Sequence, residues 1–390
     1  MLTDCGRELY GLLADRGLSL REAARQAGCS PGYLSNVCHG RKALTPRVAA
    51  RLDAVLGTGG TFAAFAVVPP SAAGFPVPVP VLAADISRGN AVAVIAALRE
   101  ILPGYIQADR LVGSAMLLLP LYSHIATVER ACEVARGQDR ADILAFASTF
   151  IEFCGWAHQD AGELDHAMQL TSKALDYAVE LGDQRTIAYT LMRKASIATE
   201  AGMPGRGVGM ASAALAHRDA LTPRLRAVIL RQRAQASAAL GESEAASRDA
   251  DAAVDEAVAG ASQGEDDSAP YCSPVYAAME AGAVRLRLGQ PADALAVLER
   301  ILPQWSDAGQ PRDHALFLAR LAQAYAALGD RDRARAATED ALTAAAGLTS
   351  RRVTSQLAGL ASKLAALDDQ GTTTIRTKLA AAGVTQGGPP

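Results

Sequence analysis

Aromatic side chains are scarce in this 390-residue chain: seven Phe, nine Tyr and two Trp amount to 5%, although half of all residues are hydrophobic. The apolar mass is therefore Ala, Leu and Val. Few aromatic and β-branched residues argue against a large sheet, and the apolar fraction is too high for a disordered chain. Six cysteines (Cys5, Cys29, Cys38, Cys132, Cys154, Cys272) form no C-x-x-C and have no histidine at metal-ligand spacing, which argues against a disulfide framework or a zinc site. The opening MLTDCGRELYG lacks the basic and apolar regions of a signal peptide. No uninterrupted apolar run reaches membrane-spanning length, and the best, from Val112 to Leu121, is too short. A soluble cytoplasmic protein without a membrane partner is expected.

Catalytic signatures are missing as well. There is no Walker loop, no G-x-S-x-G, no H-E-x-x-H and no dinucleotide fingerprint. The glycine-rich stretch from Gly202 to Gly209 lacks the Lys-Ser/Thr of a phosphate loop and reads as an inter-helix turn. His124, His158, His166, His217 and His314 stand apart in sequence. No enzyme, cofactor or metal is expected.

The net charge of −3 argues against a nucleic-acid binder until it is located. Up to Ala66, eight Lys and Arg face five acids, a net +3, which leaves −6 for the rest. Between Glu22 and Asp53 there is no acid, whereas Arg25, Arg41, Lys42, Arg47 and Arg51 all fall there. A basic head precedes an acidic body, an asymmetry suited to phosphate contact by the head.

Four short helices are predicted in the head. The first begins around Glu8 and stops at Gly17. Ser19-Leu20-Arg21-Glu22 is a capping box, in which the serine hydroxyl accepts from the Glu22 amide and the Glu22 carboxylate reaches back to the serine amide. The second helix buries Leu20, Ala23, Ala24 and Ala27 and ends at Gly28. Ser30-Pro31 and Thr45-Pro46 place a capping hydroxyl before a proline at the first helical position and start the third and fourth helices. Leu34 and Val37 face inward from the third, and Val48, Leu52, Val55 and Leu56 from the fourth.

Two short helices joined by a tight Gly-containing turn, with Ala24, Gly28, Leu34 and Val37 at close-packing spacing, match a helix-turn-helix. The run GYLSNVCHGRKALTPRVAARLDAVLG resembles the XRE/Cro-like helix-turn-helix regulators common in actinobacteria, over roughly residues 5–66. Cys38-His39 departs from relatives that carry an acid before the glycine. The resemblance implies that the helix from Pro31 to His39 enters the major groove. It implies base contacts from Tyr33, Ser35, Asn36 and His39, and phosphate contacts from Ser30, Arg41 and Lys42.

Five prolines between Val67 and Val81 preclude helix and predict an extended linker over 67–82. Helical patterning resumes over 83–140, expected to be a connecting region. There Leu111, Val112, Met116, Leu117, Leu118 and Leu119 would form core or a homodimer face. Five turns then recur, at Gly162, Gly202, Gly241, Gly289 and Gly329. Aligned on them, small residues repeat five positions later (Ala167, Gly207, Ala246, Ala294, Ala334) and seven before (Gly155, Ala195, Ala234, Gly282, Ala322). Near-constant spacing means a stacked array. The one long interval holds GASQGEDDSAP, residues 260–270, read as an inserted loop.

The clearest unit, LARLAQAYAALGDRDRARAATEDAL, resembles the tetratricopeptide repeat, with Leu321, Tyr325, Gly329, Ala334 and Ala341 at family positions and a longer period. An all-α chain is thus expected, with TPR-like repeats over 141–367 and a C-terminal helix and tail over 368–390. Trp156, Tyr189, Trp305, Phe317 and Tyr325, with Arg193 and Arg285, are candidates to line the concave groove, the aromatics otherwise being packing residues. The two resemblances imply a homodimeric transcriptional regulator that binds a double-stranded DNA operator and a peptide or small-molecule effector. The alternative is an adaptor whose solenoid holds a partner protein.

Overall fold

A computed structural model describes residues 4–39, 42, 44, 46–65, 85–261, 269–305, 311–365 and 377. The chain is all-α among these residues and divides into two units, Met1–Pro78 and Val79–Pro390. The division falls inside the proline-rich run. That linker, Arg41, Thr45, most of the 260–270 loop and nearly all of the 368–390 tail lie outside the described residues.

The first unit holds α1 (Asp4–Asp15), α2 (Leu20–Gln26), α3 (Pro31–Cys38), α4 (Pro46–Leu56) and α5 (Thr61–Phe65). Its core joins Leu9, Leu13, Ala23, Ala24, Ala27, Leu34, Val37, Leu52 and Leu56. Ser19 caps α2 as expected, accepting from the Glu22 amide at 3.2 Å. The Glu22 carboxylate instead accepts from Arg25 and Gln26, because a guanidinium three residues on offers charge-assisted bonds that the serine amide cannot match. The fifth helix was not anticipated. It is pinned by the buried Asp53 carboxylate, which accepts from the Phe62 amide at 2.8 Å and the Thr58 hydroxyl at 2.6 Å, so that Phe62 seals the core.

The second unit starts with α6 (Ala91–Val112) and α7 (Leu118–Val134). Five helical hairpins follow: α8 (Gly137–Ala161) with α9 (Leu164–Leu181), α10 (Gln184–Glu200) with α11 (Pro204–Ala214), α12 (Pro223–Ala239) with α13 (Ser243–Ala259), α14 (Pro274–Arg287) with α15 (Pro291–Ile301), and α16 (Pro311–Ala327) with α17 (Arg331–Ala344). A further helix, α18 (Arg351–Ala365), covers α16. All five predicted turn glycines adopt left-handed backbone, with φ between 73° and 84°. The aligned small residues are buried at the helix crossings. A Cβ on Gly155 would strike the Thr171 hydroxyl, and one on Gly282 would lie 2.9 Å from Leu298.

Residues 83–140 are not a separate connecting region. Ile95, Leu98 and Leu102 of α6 and Leu121, Val128 and Ala131 of α7 share one core with Phe150, Ile151 and Cys154 of α8. The Val112–Leu121 run is split by Gly113: Leu117 is buried and Val112 and Leu118 half-buried, while Leu111, Met116 and Leu119 are exposed. By length and composition α6 could cross a bilayer, but Arg99, Glu100 and Gln107 interrupt it, and its inner face lies in this core.

Within the second unit, α16 and the segment leading into α18 return to α6 and α8. The Thr349 amide and hydroxyl both donate to the Val112 carbonyl at 2.8 Å, and the Ser350 hydroxyl donates to Asp160 at 2.7 Å. Arg312 donates from Nη1 to both Asp109 oxygens at 3.0 Å, across 203 residues of chain. Gly113 permits this closure: its φ is 85°, and a Cβ there would sit 2.8 Å from the Thr349 backbone. Gly113→Ala should cost about 1–3 kcal/mol and lower Tm by a few degrees. Gly104→Ala, in open space within α6, should stabilise slightly. Equal melting of the two variants would rule out the close approach at Thr349.

Candidate functional site

Two surfaces carry the predicted functional residues. On the first unit, α3 is started by Ser30, whose hydroxyl accepts from the Tyr33 amide at 3.1 Å, so this hydroxyl already serves as a cap. Leu34, Val37 and Cys38 are buried against α1 and α2, which turns Ser35 and Asn36 to the half-exposed side. Among the described residues, neither the Ser35 hydroxyl nor the Asn36 amide has a hydrogen-bond partner. Tyr33 is half-buried and packs on the core. His39 is exposed and places Nδ1 2.8 Å from the Ser35 carbonyl, which leaves Nε2 for solvent or a ligand. Lys42 is exposed, and its amide donates to the Asn36 carbonyl. Arg7, Arg16, Arg21, Arg25 and Arg51 are also exposed on this unit.

In the second unit, the first helix of each hairpin, with α6 and α18, surrounds a cavity of about 460 Å³. Of the groove candidates, Trp156, Tyr189 and Arg193 line it, together with Arg110, Glu152, Tyr271, Tyr276, Asp313 and Arg352. The other four groove candidates, Trp305, Phe317, Tyr325 and Arg285, do not. Phe317 is fully buried, with its ring parallel to Trp305 at 5.0 Å. Tyr325 donates to Glu299 at 2.8 Å under the Arg333 guanidinium, and Arg285 pairs with Asp251 at 2.7 Å. Both Tyr325 and Arg285 fall four residues before a turn glycine, at the end of their helix, beyond the cavity.

The lining is ionic. Five arginines (Arg110, Arg193, Arg231, Arg312, Arg352) face three carboxylates (Asp109, Glu152, Asp313). Arg193 binds Glu152 at 2.7 Å and Gln159 at 3.1 Å. Asp109 accepts from Arg312, from the Trp156 indole at 3.1 Å and from the Ser114 hydroxyl. Behind the wall, buried Glu280 is shared by Arg231 at 3.2 Å and Arg320 at 2.7 Å. Burial alone would raise the Glu280 carboxyl, but Arg320 and Arg231 outweigh it and hold it down at about 2. Burial pushes the Asp313 carboxyl up, against the pull of Arg312 and Arg352. Burial likewise pushes the Tyr189, Tyr271 and Tyr276 hydroxyls up, so they remain neutral.

Trp156 stands between three guanidiniums: Arg193 at 4.5 Å, Arg312 at 4.8 Å and Arg352 at 5.3 Å from its ring. These cations were largely missed from sequence, although a signal was present. Arg193, Gln232, Glu280 and Arg320 all fall nine residues before a turn glycine, and Glu152 and Arg231 ten before. Of these, Glu152, Arg193 and Arg231 line the cavity, while Glu280 and Arg320 pair behind its wall.

The histidines are not all isolated. The α8–α9 turn brings His158 and His166 together, with ring centroids 5.4 Å apart and Glu163 between them, 2.8 Å from one and 3.4 Å from the other. This trio is the one His/Cys/Asp/Glu group among the described residues close enough to hold a metal ion. The two rings also have a bland use for their Nδ1 atoms, as partners of the Glu163 carboxylate. His124 is buried and meets the Tyr105 hydroxyl at 3.2 Å.

Residues 5–64 match a family model described as a helix-turn-helix domain. No match is found among curated proteins. Among solved structures the chain is similar to a Rap protein complexed with Competence and Sporulation Factor, at 15% identity and a TM-score of 0.49, covering 75% of this chain and 88% of that one. It is also similar to a tetratricopeptide repeat protein from Parabacteroides merdae, at 14% identity and a TM-score of 0.32, covering 70% of this chain and 99% of that one. The chain joins an N-terminal helix-turn-helix domain to a C-terminal array of repeated helical hairpins.

Proposed function

We propose that the chain is a cytoplasmic, non-enzymatic transcriptional regulator of XRE/Cro type. Its head reads an operator, and its repeat unit binds an effector in the cavity. The observation that carries the reading is α3: a capped helix in a matched helix-turn-helix domain, with Ser35 and Asn36 available outward and Lys42 exposed beside them. Asn36 suits bidentate pairing with adenine, and Lys42 suits a phosphate. The effector would act by favouring one arrangement of a two-state element, since a ligand shifts an equilibrium only by its differential affinity. The closure between Asp109 and Arg312 is the natural element, because both residues also line the cavity.

The reading includes a homodimer. Leu111, Met116, Leu119 and Tyr122, all exposed within residues 111–122, offer apolar surface for a second copy. Two heads would then read symmetric half-sites separated by about one helical turn, ~34 Å.

Salt-titrated binding of the full chain to its selected site tests the head. Lys42→Ala should weaken binding to all sequences and reduce the salt slope by about one. Asn36→Ala should cost about 1–3 kcal/mol and relax preference at one base pair. If Asn36→Ala leaves preference intact at every position, α3 is not the reading helix.

A further inference from the structure

The cavity contains more positive charge than its own carboxylates can match. Arg193 and Arg312 have carboxylate partners, but Arg231 must share Glu280 with Arg320. The Nε atoms of Arg231, Arg312 and Arg320 are buried without a partner. Arg352 is half-buried over Trp156 and makes no hydrogen bond or ion pair with any described residue. Asp313, across the same space, makes none either, and burial pushes its carboxyl up against the pull of Arg312 and Arg352. Glu200, Glu280 and Asp160 favour the Arg352 charge without touching it, so its N–H donors are left to a partner that enters the cavity, where five arginines face three carboxylates. The acidic body around this positive interior makes the contrast sharper, since net charge outside the first 66 residues is −6.

We propose that the cavity takes a small organic anion, whose carboxylate or phosphate pairs with the Arg352 guanidinium while an apolar frame lies against Phe153, Tyr189 and Tyr276. This deepens the effector reading above and rests on it. The planar fork of Arg352 presents two parallel N–H donors, the geometry that both oxyanions accept. The volume of about 460 Å³ suits a metabolite-sized ligand. Arg231 lines the same cavity as a second cation.

The test uses the full chain and three probes of one shape: 3-phenylpropionate, its neutral amide 3-phenylpropionamide, and phenyl phosphate. Binding is measured by calorimetry and by thermal melting at constant ionic strength. At least one anion should bind, and about tenfold or more tighter than the amide. The stronger anion identifies carboxylate or phosphate as the preferred group. Arg352→Gln should abolish the preference while melting cooperatively at the wild-type temperature or above. Arg352→Lys, which keeps charge but not the fork, should weaken it about tenfold. Arg248→Gln, on exposed α13, should leave it unchanged. Equal binding of anion and amide, no binding of either anion, or wild-type preference in Arg352→Gln overturns the proposal. Operator binding by the same samples separates the two claims: intact DNA recognition without anion preference removes only the ligand class. Anion preference without DNA recognition removes the regulator reading and leaves the site.

Discussion

Asp109→Ala is expected to destabilise the second unit by about 3–5 kcal/mol, the usual consequence of stranding one partner of a buried ion pair. Asp109 is 3% exposed and receives Arg312, the Trp156 indole and the Ser114 hydroxyl at once. Its loss leaves Arg312 with Asp160 alone, 3.7 Å away, and removes the contact that brings α16 back to α6. Denaturant melts should show a lower midpoint. Protection from proteolysis should fall in α16 and α18 before it falls in α10 to α13, because the missing bond joins the two ends of the array. Asp109→Asn with Arg312→Met, which removes both charges, should recover most of the loss. A change below about 1 kcal/mol in Asp109→Ala would show that closure does not depend on this pair.

The second large effect is at Glu280, the shared counter-ion of Arg231 and Arg320. Glu280→Gln removes the one carboxylate that neutralises both, and a loss of about 3–5 kcal/mol follows on the same argument. The pH dependence carries an independent signature. The folded carboxyl sits at about 2, below the ordinary value for glutamate of about 4.3. A depressed carboxyl contributes stability that is fully present above the unfolded value and lost as pH falls through the folded one. Wild-type stability should therefore fall by about 2 kcal/mol, out of about 3 kcal/mol in all, between roughly pH 4.5 and pH 2 through this group alone, with the remainder lost below pH 2. Glu280→Gln should be less stable at pH 7 but show a flatter acid limb. Parallel acid limbs in the two proteins would contradict the assignment.

The hairpins were legible in sequence because each repeats the same local chemistry. A left-handed glycine ends one helix, and an alanine five residues on lets the next helix pack closely, so Gly241 and Ala246 announce a crossing without knowledge of any distant residue. The head was legible for the same reason, through Ser19, Ser30 and the paired prolines. What escaped was non-local. Nothing near Asp109 indicates that its partner lies 203 residues away, and nothing near Gly113 indicates that Thr349 will pass beside it. The helix at Thr61–Phe65 escaped because its anchor, Asp53, reads as one more surface acid until Phe62 is seen on it. In the groove, aromatic identity was a poor guide. Phe317 and Tyr325 are packing residues, whereas the cavity wall is marked by charged residues nine or ten positions before the turn glycines, such as Arg193 and Glu152.

The central claim, that an acidic chain with a basic head recognises a defined DNA sequence, is tested most directly by footprinting. The full chain is incubated with fragments of its host genome at about 0.15 M salt, where nonspecific phosphate contacts are weak. The account predicts protection of a bounded, two-fold symmetric site, bound at least about a thousandfold more tightly than random DNA. Uniform, sequence-blind protection that vanishes as salt rises would contradict it.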